Sequence, residues 1–308
     1  MLSEIRLATV GVASLEAAIA FYREALGYRL LECGAVPPAT ASFWRASTSA
    51  PLTYAILAAD ESGQGRLRLL AGNPPGEPVW AGIEGLSGTG YYALNFRCRD
   101  LDGQLRRIAA AGGRAGRAVR WTVSERVTVL DSMNADPDGT HLDLFCYERG
   151  GELRGPLLTE VSVLQTVAIA SADVDRSRRF WEALGFRELF DRVLDFPELA
   201  ALLGSPRPLR LRNANLIKDG TIVPGRIEMF AVLDGPPPRP LAARARPPAR
   251  GILMVSLLCG DLAAAARAIA EAGGRVLGEF SGERPGFGRG RALLAEGPDG
   301  EAIELVAR

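Results

Sequence analysis

The sequence predicts an α+β fold made of four tandem βαβββ modules, and two internal repeats carry this prediction. DLDGQLRRIAAAGGR from Asp100 and DLAAAARAIAEAGGR from Asp261 share an acidic start, a helical body and a Gly-Gly end. SLEAAIAFYREALGY from Ser14 and DVDRSRRFWEALGF from Asp173 repeat a second helix. The offset between the two halves is about 160 residues throughout, so the chain is an internal duplication.

The length of 308 residues suits two domains, because one hydrophobic core seldom serves a chain this long. We predict a first domain at 1–150, containing modules 1 and 2, and a second at 151–308, containing modules 3 and 4. Residues 149–162 are predicted to link the domains. The proline-rich stretch 235–251 is predicted to be an extended, exposed connector between modules 3 and 4.

Each module begins with a strand and a capped helix. LATVGV and TVAIAS are short apolar runs rich in β-branched residues, which is typical of strands. Ser14 and Asp173 follow them at N-cap positions, and Gly27 and Gly185 are placed to end the helices. Three further strands complete each module, the last two joined by a turn that contains glycine. Modules 1 and 3 carry insertions, and FPELAALLG in the second insertion predicts a short helix.

Composition excludes several functions. Basic and acidic residues balance at 36 each, so no polyanionic partner such as nucleic acid is expected. The sequence has no apolar run of the roughly 20 residues that a membrane helix needs and no signal-peptide pattern. Its four scattered cysteines fit a reducing cytoplasm. We therefore expect a cytoplasmic protein with a small-molecule partner, and a homodimer is compatible with the sequence.

Four motifs carry a family resemblance: FYREALGY, FWEALGF, DPDGTHLDL and GPDGEAIEL. They resemble the signatures of the vicinal oxygen chelate superfamily, which includes glyoxalases, bleomycin resistance proteins and extradiol dioxygenases. The resemblance implies that two modules curl into one open barrel around a cavity. Two glyoxalase-like barrels in tandem are therefore expected, one from modules 1 and 2 and the other from modules 3 and 4.

The resemblance also implies a metal site in each barrel, with one ligand from the first strand and one from the last strand of each module. In the first domain these positions carry Leu7, Arg68, Ala93 and Asp143. An arginine repels a metal cation, so we expect either an Arg68–Asp143 ion pair in the old metal position or two side chains that reach water.

In the second domain the same positions carry Thr166, Glu228, Met254 and Glu304. Glu228 and Glu304 could hold Mg²⁺, Mn²⁺ or Zn²⁺, or the domain holds no cofactor. A one-residue slip of the first strand in module 3 would place Gln165 in the cavity instead of Thr166. Two close carboxylates could also exchange a proton with a ligand.

His141 is the only histidine in the chain, whereas the iron site of ring-cleaving dioxygenases needs two. We therefore do not expect that chemistry. His141 lies two residues before Asp143 in a predicted strand, so both side chains should face the first cavity. His141 is then either a general base or a hydrogen-bonded structural side chain.

Three functions stay open. The first is binding of a small aromatic or carbonyl-bearing molecule, similar to the bleomycin resistance proteins and without a histidine-based metal site. Aromatic candidates for such a groove are Phe43, Trp44, Trp80, Tyr91, Tyr92 and Trp121. The second is a metal-dependent lyase or isomerase of glyoxalase type that uses Glu228 and Glu304. The third is a noncatalytic member with a degenerate site.

Overall fold

The predicted α+β fold with four βαβββ modules is confirmed by a computed structural model, which describes residues 2–47, 50–151, 157, 159–219 and 224–308. Module 1 contains β1 (Leu2–Val12), α1 (Leu15–Leu26), β2 (Arg29–Ala35), α2 (Pro38–Phe43), β3 (Leu52–Ala58) and β4 (Arg66–Gly72). Module 2 contains β5 (Gly88–Arg97), α3 (Leu101–Ala110), β6 (Val119–Ser124), β7 (Val127–Ala135) and β8 (His141–Arg149).

The second half of the chain repeats this order. Module 3 contains β9 (Thr166–Ala170), α4 (Val174–Ala183), β10 (Phe186–Leu194), α5 (Leu199–Leu202), β11 (Leu211–Lys218) and β12 (Arg226–Val232). A two-residue strand, β13 (Arg239–Pro240), follows. Module 4 contains β14 (Gly251–Cys259), α6 (Leu262–Glu271), β15 (Arg275–Arg284), β16 (Gly288–Glu296) and β17 (Ala302–Ala307). The insertions supply α2 and α5, the latter within the predicted FPELAALLG segment.

The predicted helix caps are confirmed. The Ser14 hydroxyl accepts a hydrogen bond from the amide of Ala17, and the Asp173 carboxylate accepts one from the amide of Arg176. These bonds satisfy amide groups that have no partner inside the first helical turn. Gly27 ends α1 in the left-handed region, at a φ of 73°, where a side chain would be strained.

The modules pair across the two halves of the chain. One curled sheet has the strand order β15-β16-β17-β14-β1-β4-β3-β2 and combines modules 4 and 1; we call it the 1–4 barrel. The other has the order β10-β11-β12-β9-β5-β8-β7-β6 and combines modules 3 and 2; we call it the 2–3 barrel. The first strands make both junctions, because β1 pairs antiparallel with β14 and β5 with β9.

The prediction that modules 1 and 2 form one barrel and modules 3 and 4 the other is therefore wrong. Each module offers the same free edge on its first strand, so the repeats alone do not specify which modules pair. The ranges 1–150 and 151–308 each still contain two complete modules. Of the predicted linker 149–162, residues 152–156 and 158 lie outside the described residues, and Val161 pairs with Cys98.

Modules from the same half of the chain meet through their helices. Helix α1 contacts α3, and α4 contacts α6. The Tyr22 hydroxyl of α1 donates a buried 3.0 Å hydrogen bond to Asp136 in the turn between β7 and β8. The equivalent turn in module 4 places Asp299 against Ser171 and Ser177 of module 3. One continuous apolar core, with residues from all four modules, lies between the helices and the sheets.

The connector 235–251 differs from its prediction. Its prolines at 236–238 are exposed or only partly buried, as predicted. Leu241 and Ala249, in contrast, are buried in the interior of the 1–4 barrel. Apolar side chains within the proline-rich stretch thus fold back onto the barrel instead of staying extended in solvent. In the part of the chain that the structure describes, no helix has the length and hydropathy to cross a membrane.

Candidate functional site

The 2–3 barrel encloses a cavity of about 150 Å³. Its walls are mainly apolar and include seven aromatic side chains: Tyr92, Trp121, Phe145, Tyr147, Phe190, Phe196 and Phe230. The wall residues come from both modules, so the cavity exists only because modules 2 and 3 share a sheet. An apolar enclosure of this kind, with a few polar groups, is the usual form of a small-molecule site.

An aromatic stack closes one side of the cavity. The Trp121 ring of β6 lies parallel to that of Phe196 in the module 3 insertion, with centroids 5.2 Å apart and planes 7° apart. The guanidinium carbon of Arg192 lies 4.6 Å from the Phe190 ring centroid and 5.7 Å from that of Trp121. These contacts join modules 2 and 3 over the cavity and hold the cation of Arg192 against aromatic faces.

Polar side chains lie on several of the strands that line the cavity, and we call this polar part of the lining the floor of the cavity. The amide nitrogens of Asn95 and Asn213 donate to the two oxygens of Glu228, at 2.9 and 2.6 Å. The carboxyl groups of Asp131 and Asp143 lie close together, and each changes the pKa of the other. Glu228 is therefore held by two amides, and the two aspartates interact directly with each other.

Burial sets the ionisation of these three acids. Burial raises the pKa of Glu228 above its ordinary value, although the amide of Asn213 works in the opposite direction. Burial raises the pKa of Asp131 too, and it raises that of Asp143 well above the ordinary value, with the Asp131 carboxylate adding to the effect. Two buried carboxyl groups this close favour the state in which at least one of them is protonated.

Several acceptor oxygens on the floor have no donor. Asn95 and Asn215 are each 6% exposed, and the Oδ1 atom of each accepts no hydrogen bond from the described residues. Asp131 accepts from the Trp121 indole at its Oδ2 atom, at 2.9 Å, while its Oδ1 atom receives no N–H donor within the described chain. Buried acceptors without donors are costly. The Nε donor of Arg192, on the same cavity lining, likewise has no acceptor among the described residues.

The equivalent space in the 1–4 barrel is filled. Arg68 and Glu304, both fully buried, form a 3.0 Å ion pair at its centre. The Ser256 hydroxyl donates to the same oxygen of Glu304 at 2.6 Å, and the indole of Trp44 donates to the other at 2.9 Å. Arg68 also donates to Thr9 at 3.1 Å and stacks on Trp44, with its guanidinium carbon 4.2 Å from the ring centroid.

Electrostatics keep this pair ionised. Burial alone would favour the neutral acid, but the charge of Arg68, with hydrogen bonds from Ser256 and Trp44, lowers the pKa of Glu304 below its ordinary value. Trp44 reaches the pair because α2, in the insertion of module 1, places it at the helix end. The insertion thus fills the interior of one barrel and leaves the other open.

The predicted site residues divide between the two barrels. Ala93, Asp143, Thr166 and Glu228 line the cavity of the 2–3 barrel. Arg68, Met254 and Glu304 meet inside the 1–4 barrel, where the Arg68 guanidinium lies 3.5 Å from the Met254 sulfur. Thr166 lines the cavity, together with Ala168 of the same strand, and Gln165 does not.

Two predicted partnerships are therefore wrong. Arg68 pairs with Glu304 instead of Asp143, and Glu228 lies in a different barrel from Glu304. Both errors have one physical cause, the pairing of modules across the two halves of the chain. As predicted, each barrel brings together two first-strand and two last-strand positions, but from different modules than expected.

His141 lies outside the cavity that contains Asp143, which contradicts the prediction that both face one space. It borders a neighbouring surface cleft instead, and Tyr92 and Met133 border both spaces. Its ring centroid is 4.4 Å from that of Tyr92, and its Nδ1 atom lies 3.2 Å from the Tyr92 carbonyl oxygen. Burial lowers the pKa of His141 to about 4, so it is neutral at neutral pH.

The model of the glyoxalase/bleomycin resistance protein/dioxygenase superfamily matches residues 5–144 and 163–305, which is most of the chain. The chain belongs to this superfamily. It is similar to the crystal structure of glyoxalase I from Zea mays, at 20% identity and a TM-score of 0.65, over 99% of this chain and 92% of that one. The structure of a putative dioxygenase from Bacillus subtilis is also similar, at 14% identity and a TM-score of 0.60, over 99% and 85%. A search of curated proteins finds no match.

These similarities to solved structures establish the fold, and the residues decide whether the superfamily's metal fits. In the 2–3 barrel the four positions hold an alanine, a threonine, Asp143 and Glu228, and both oxygens of Glu228 already accept amide hydrogens. In the 1–4 barrel the Arg68 cation occupies the place beside Glu304. Among the described residues no group of three or more His, Cys, Asp and Glu side chains is placed to hold a metal. These residues do not fit a divalent metal.

The sequence interpretation missed most of the polar floor. Asn95, Asp131, Asn213, Asn215 and Arg192 line the cavity but were not among its predicted residues. Asn213 and Asn215 lie two apart in β11, and Asn95 lies two residues after Ala93. Residues at i and i+2 face the same side of a strand, so this alternation was the available signal.

Proposed function

We propose that this protein binds a small aromatic molecule in the cavity of the 2–3 barrel. One observation supports this function above all: the 2–3 barrel has an open, aromatic-walled cavity where the 1–4 barrel has the buried Arg68–Glu304 pair and Trp44. A cavity of about 150 Å³ with apolar walls holds one benzene molecule in an engineered protein, so a single six-membered ring is the matching size.

Ala93 offers a direct test, because it lines the cavity at the position where module 1 has Leu7. Ala93→Leu adds a side chain that competes with a bound ring. The matched control is Met254→Leu, a nearly volume-conserving change at the equivalent position of the filled barrel, which should cost under about 1.5 kcal/mol.

The measurement is a thermal shift with toluene, phenol and benzamide, since binding to the folded state raises the melting temperature. We expect a concentration-dependent rise for the unaltered protein and for Met254→Leu, and none for Ala93→Leu. If none of these ring compounds raises the melting temperature of the unaltered protein, the proposed function is wrong. An equal rise in all three proteins would place the binding elsewhere.

A second candidate function is proton transfer on the bound molecule, as in a metal-free lyase or isomerase. The observation that favours it is the close pair of Asp131 and Asp143 in the same cavity as Glu228. A protonated acid beside a carboxylate can supply and remove a proton on one ligand. The test is deuterium uptake from heavy water at the carbon beside the carbonyl of phenylacetone, followed by NMR, which Asp143→Asn should slow. No uptake above the solvent rate would favour the noncatalytic alternative.

A further inference from the structure

We propose that the surface cleft beside the 2–3 barrel is a second binding site, which takes an aromatic molecule that carries a carboxylate. The cleft has a volume of about 530 Å³, within the range of small-molecule sites. Two arginines, Arg114 and Arg117, line it together with the aromatic rings of Trp80, Tyr92 and His141. This site does not depend on the binding of a ring inside the barrel.

The loop between α3 and β6 carries both arginines. Arg114 exchanges two backbone hydrogen bonds of 2.9 Å with Ala135 of β7, and the amide of Gly116 donates to the side chain of Asn134 at 2.9 Å. A side chain at position 116 would collide with the Met133 carbonyl, so the loop lies directly against β7. The backbone is therefore fixed at the place where the two arginine side chains leave it.

The guanidinium groups of the two arginines are free to bind a ligand. Within the part of the chain that the structure describes, the side chains of Arg114 and Arg117 form no hydrogen bond or ion pair. Asp138 is the one acid on the described lining of the cleft, and it already accepts from Arg250 at 3.1 Å and from the amide of Ala13 at 2.9 Å. The lining thus has an excess of positive charge, which a carboxylate can balance because its two oxygens match the planar guanidinium.

Module 4 shows how the equivalent arginine is satisfied. Arg275 follows the Gly-Gly end of α6 as Arg114 follows that of α3. Arg275 forms an ion pair with Glu296, its partner across the strands, whereas the partner of Arg114 is Ala135. Arg114 therefore has the position of a paired arginine without the acid beside it. The carboxylate of a ligand would supply that missing charge.

Aromatic rings give the cleft an apolar part. The ring centroid of His141 lies 4.4 Å from that of Tyr92, and the Trp80 centroid lies 5.2 Å from Tyr92 on another side. Burial lowers the pKa of His141, and the charge of Arg114 lowers it further. Burial raises the pKa of Tyr92, and the same charge opposes this effect. The cation therefore acts close to the rings, so a carboxylate attached directly to an aromatic body fits the cleft.

The experiment measures the binding of 2-naphthoate and of its neutral amide, naphthamide, to the full chain by calorimetry at neutral pH. Two fused rings exceed the space for one ring inside the barrel but fit the cleft. We expect naphthoate to bind at least about tenfold more tightly than naphthamide, because its hydrogen bonds to arginine join two charged groups. If naphthamide binds as tightly as naphthoate, or if neither binds, the inference is wrong.

Substitutions in the loop locate the carboxylate. Arg114→Gln and Arg117→Gln should each weaken naphthoate binding about tenfold and leave the melting temperature unchanged, since both side chains are exposed. Arg106→Gln changes an exposed arginine of α3 that does not line the cleft, and this control should bind naphthoate like the unaltered protein. An equal loss in all three variants, or no loss in any of them, contradicts the site.

Two further variants extend the test to the repeat and to the barrel. The folded Ala135→Glu protein has the acid that module 4 has at Glu296, and it should bind naphthoate as weakly as Arg114→Gln does. Ala93→Leu fills the barrel cavity and should leave naphthoate binding unchanged. Loss of naphthoate binding in Ala93→Leu would place the anion inside the barrel and overturn the inference. If naphthoate binds while toluene does not, the proposed function is wrong and this site stands.

Discussion

Two glutamates at equivalent places on the last strands of modules 3 and 4 have different surroundings. Glu304 is fully buried against the Arg68 cation, whereas Glu228 is half-buried at the edge of a cavity and bound by two neutral amides. One carboxylate is part of a structural ion pair, and the other lines the cavity for which we propose a ligand. Sequence position alone does not distinguish these roles.

The two glutamates therefore predict opposite outcomes for the same substitution. Glu304→Gln leaves the buried Arg68 guanidinium without its counter-charge and should lower the free energy of unfolding by about 3–5 kcal/mol. Glu228→Gln removes a charge that burial disfavours, and should change stability by less than about 1 kcal/mol. Urea denaturation of both variants measures the difference. Equal losses would contradict the division into a structural and a ligand-binding glutamate.

His141 makes a pH-dependent contribution to stability. Its pKa is about 4 in the folded protein, below the ordinary 6.5, because the ring is buried. As the pH falls below 6.5 the unfolded chain takes up the proton first, so stability is lost between about 6.5 and 4. The full effect is roughly 3 kcal/mol.

His141→Gln cannot titrate and should lose less stability than the unaltered protein over this pH range. The measurement is the free energy of unfolding at pH values across the range, with the difference between the two proteins as the readout. The acids of the chain titrate in both proteins and cancel in this difference. A constant difference at all pH values would show that His141 is not buried as a neutral side chain.

At the scale of elements, the two insertions give the two barrels different interiors. Helix α2 brings Trp44, 2% exposed, into the 1–4 barrel, where it contacts Arg68 and Glu304. The insertion of module 3 supplies Phe196 and α5 to the wall of the other cavity without filling it. The repeats share a fold, and the segments that are not repeated fill the 1–4 barrel and leave a cavity in the 2–3 barrel.

Removing either tryptophan tests this difference. Trp44→Ala should lower the free energy of unfolding by about 3–5 kcal/mol, because it leaves a buried cavity and breaks the hydrogen bond to Glu304. Trp121→Ala removes a half-buried ring and should cost less, while it weakens the binding of toluene. Thermal and urea denaturation, with toluene titrations, measure both effects. A larger loss of stability in Trp121→Ala would contradict the assignment of the filled barrel.

At the scale of the whole molecule, the two halves of the chain are held together by sheet pairing. Both first-strand junctions, β1 with β14 and β5 with β9, join residues from different halves. We expect that a protease site inserted after Gly151 can be cut without separating the fragments. They should elute together from a size-exclusion column and unfold in one transition. Two independent fragments of about half size would contradict the pairing.

The sequence predicted the modules well because their signals are local. Strand patterns, the caps at Ser14 and Asp173 and the glycine stops all act within a few residues, and the structure confirms them. The pairing of modules could not be predicted, because β1 can pair with any other first strand and the choice depends on contacts distant in sequence. The same limit applies to the site. Asp143 and Glu228 were both predicted to be site residues, but in two different barrels.

The most direct test of the central claim is to locate a bound ring. A crystal of the full chain soaked with bromobenzene can be measured at the bromine absorption edge, where anomalous scattering marks the halogen. We predict one bromine site per chain, inside the 2–3 barrel between the ring of Trp121 and the floor that carries Glu228. A bromine site in the 1–4 barrel, or a cavity of the 2–3 barrel without bromine while the surface is labelled, would contradict it.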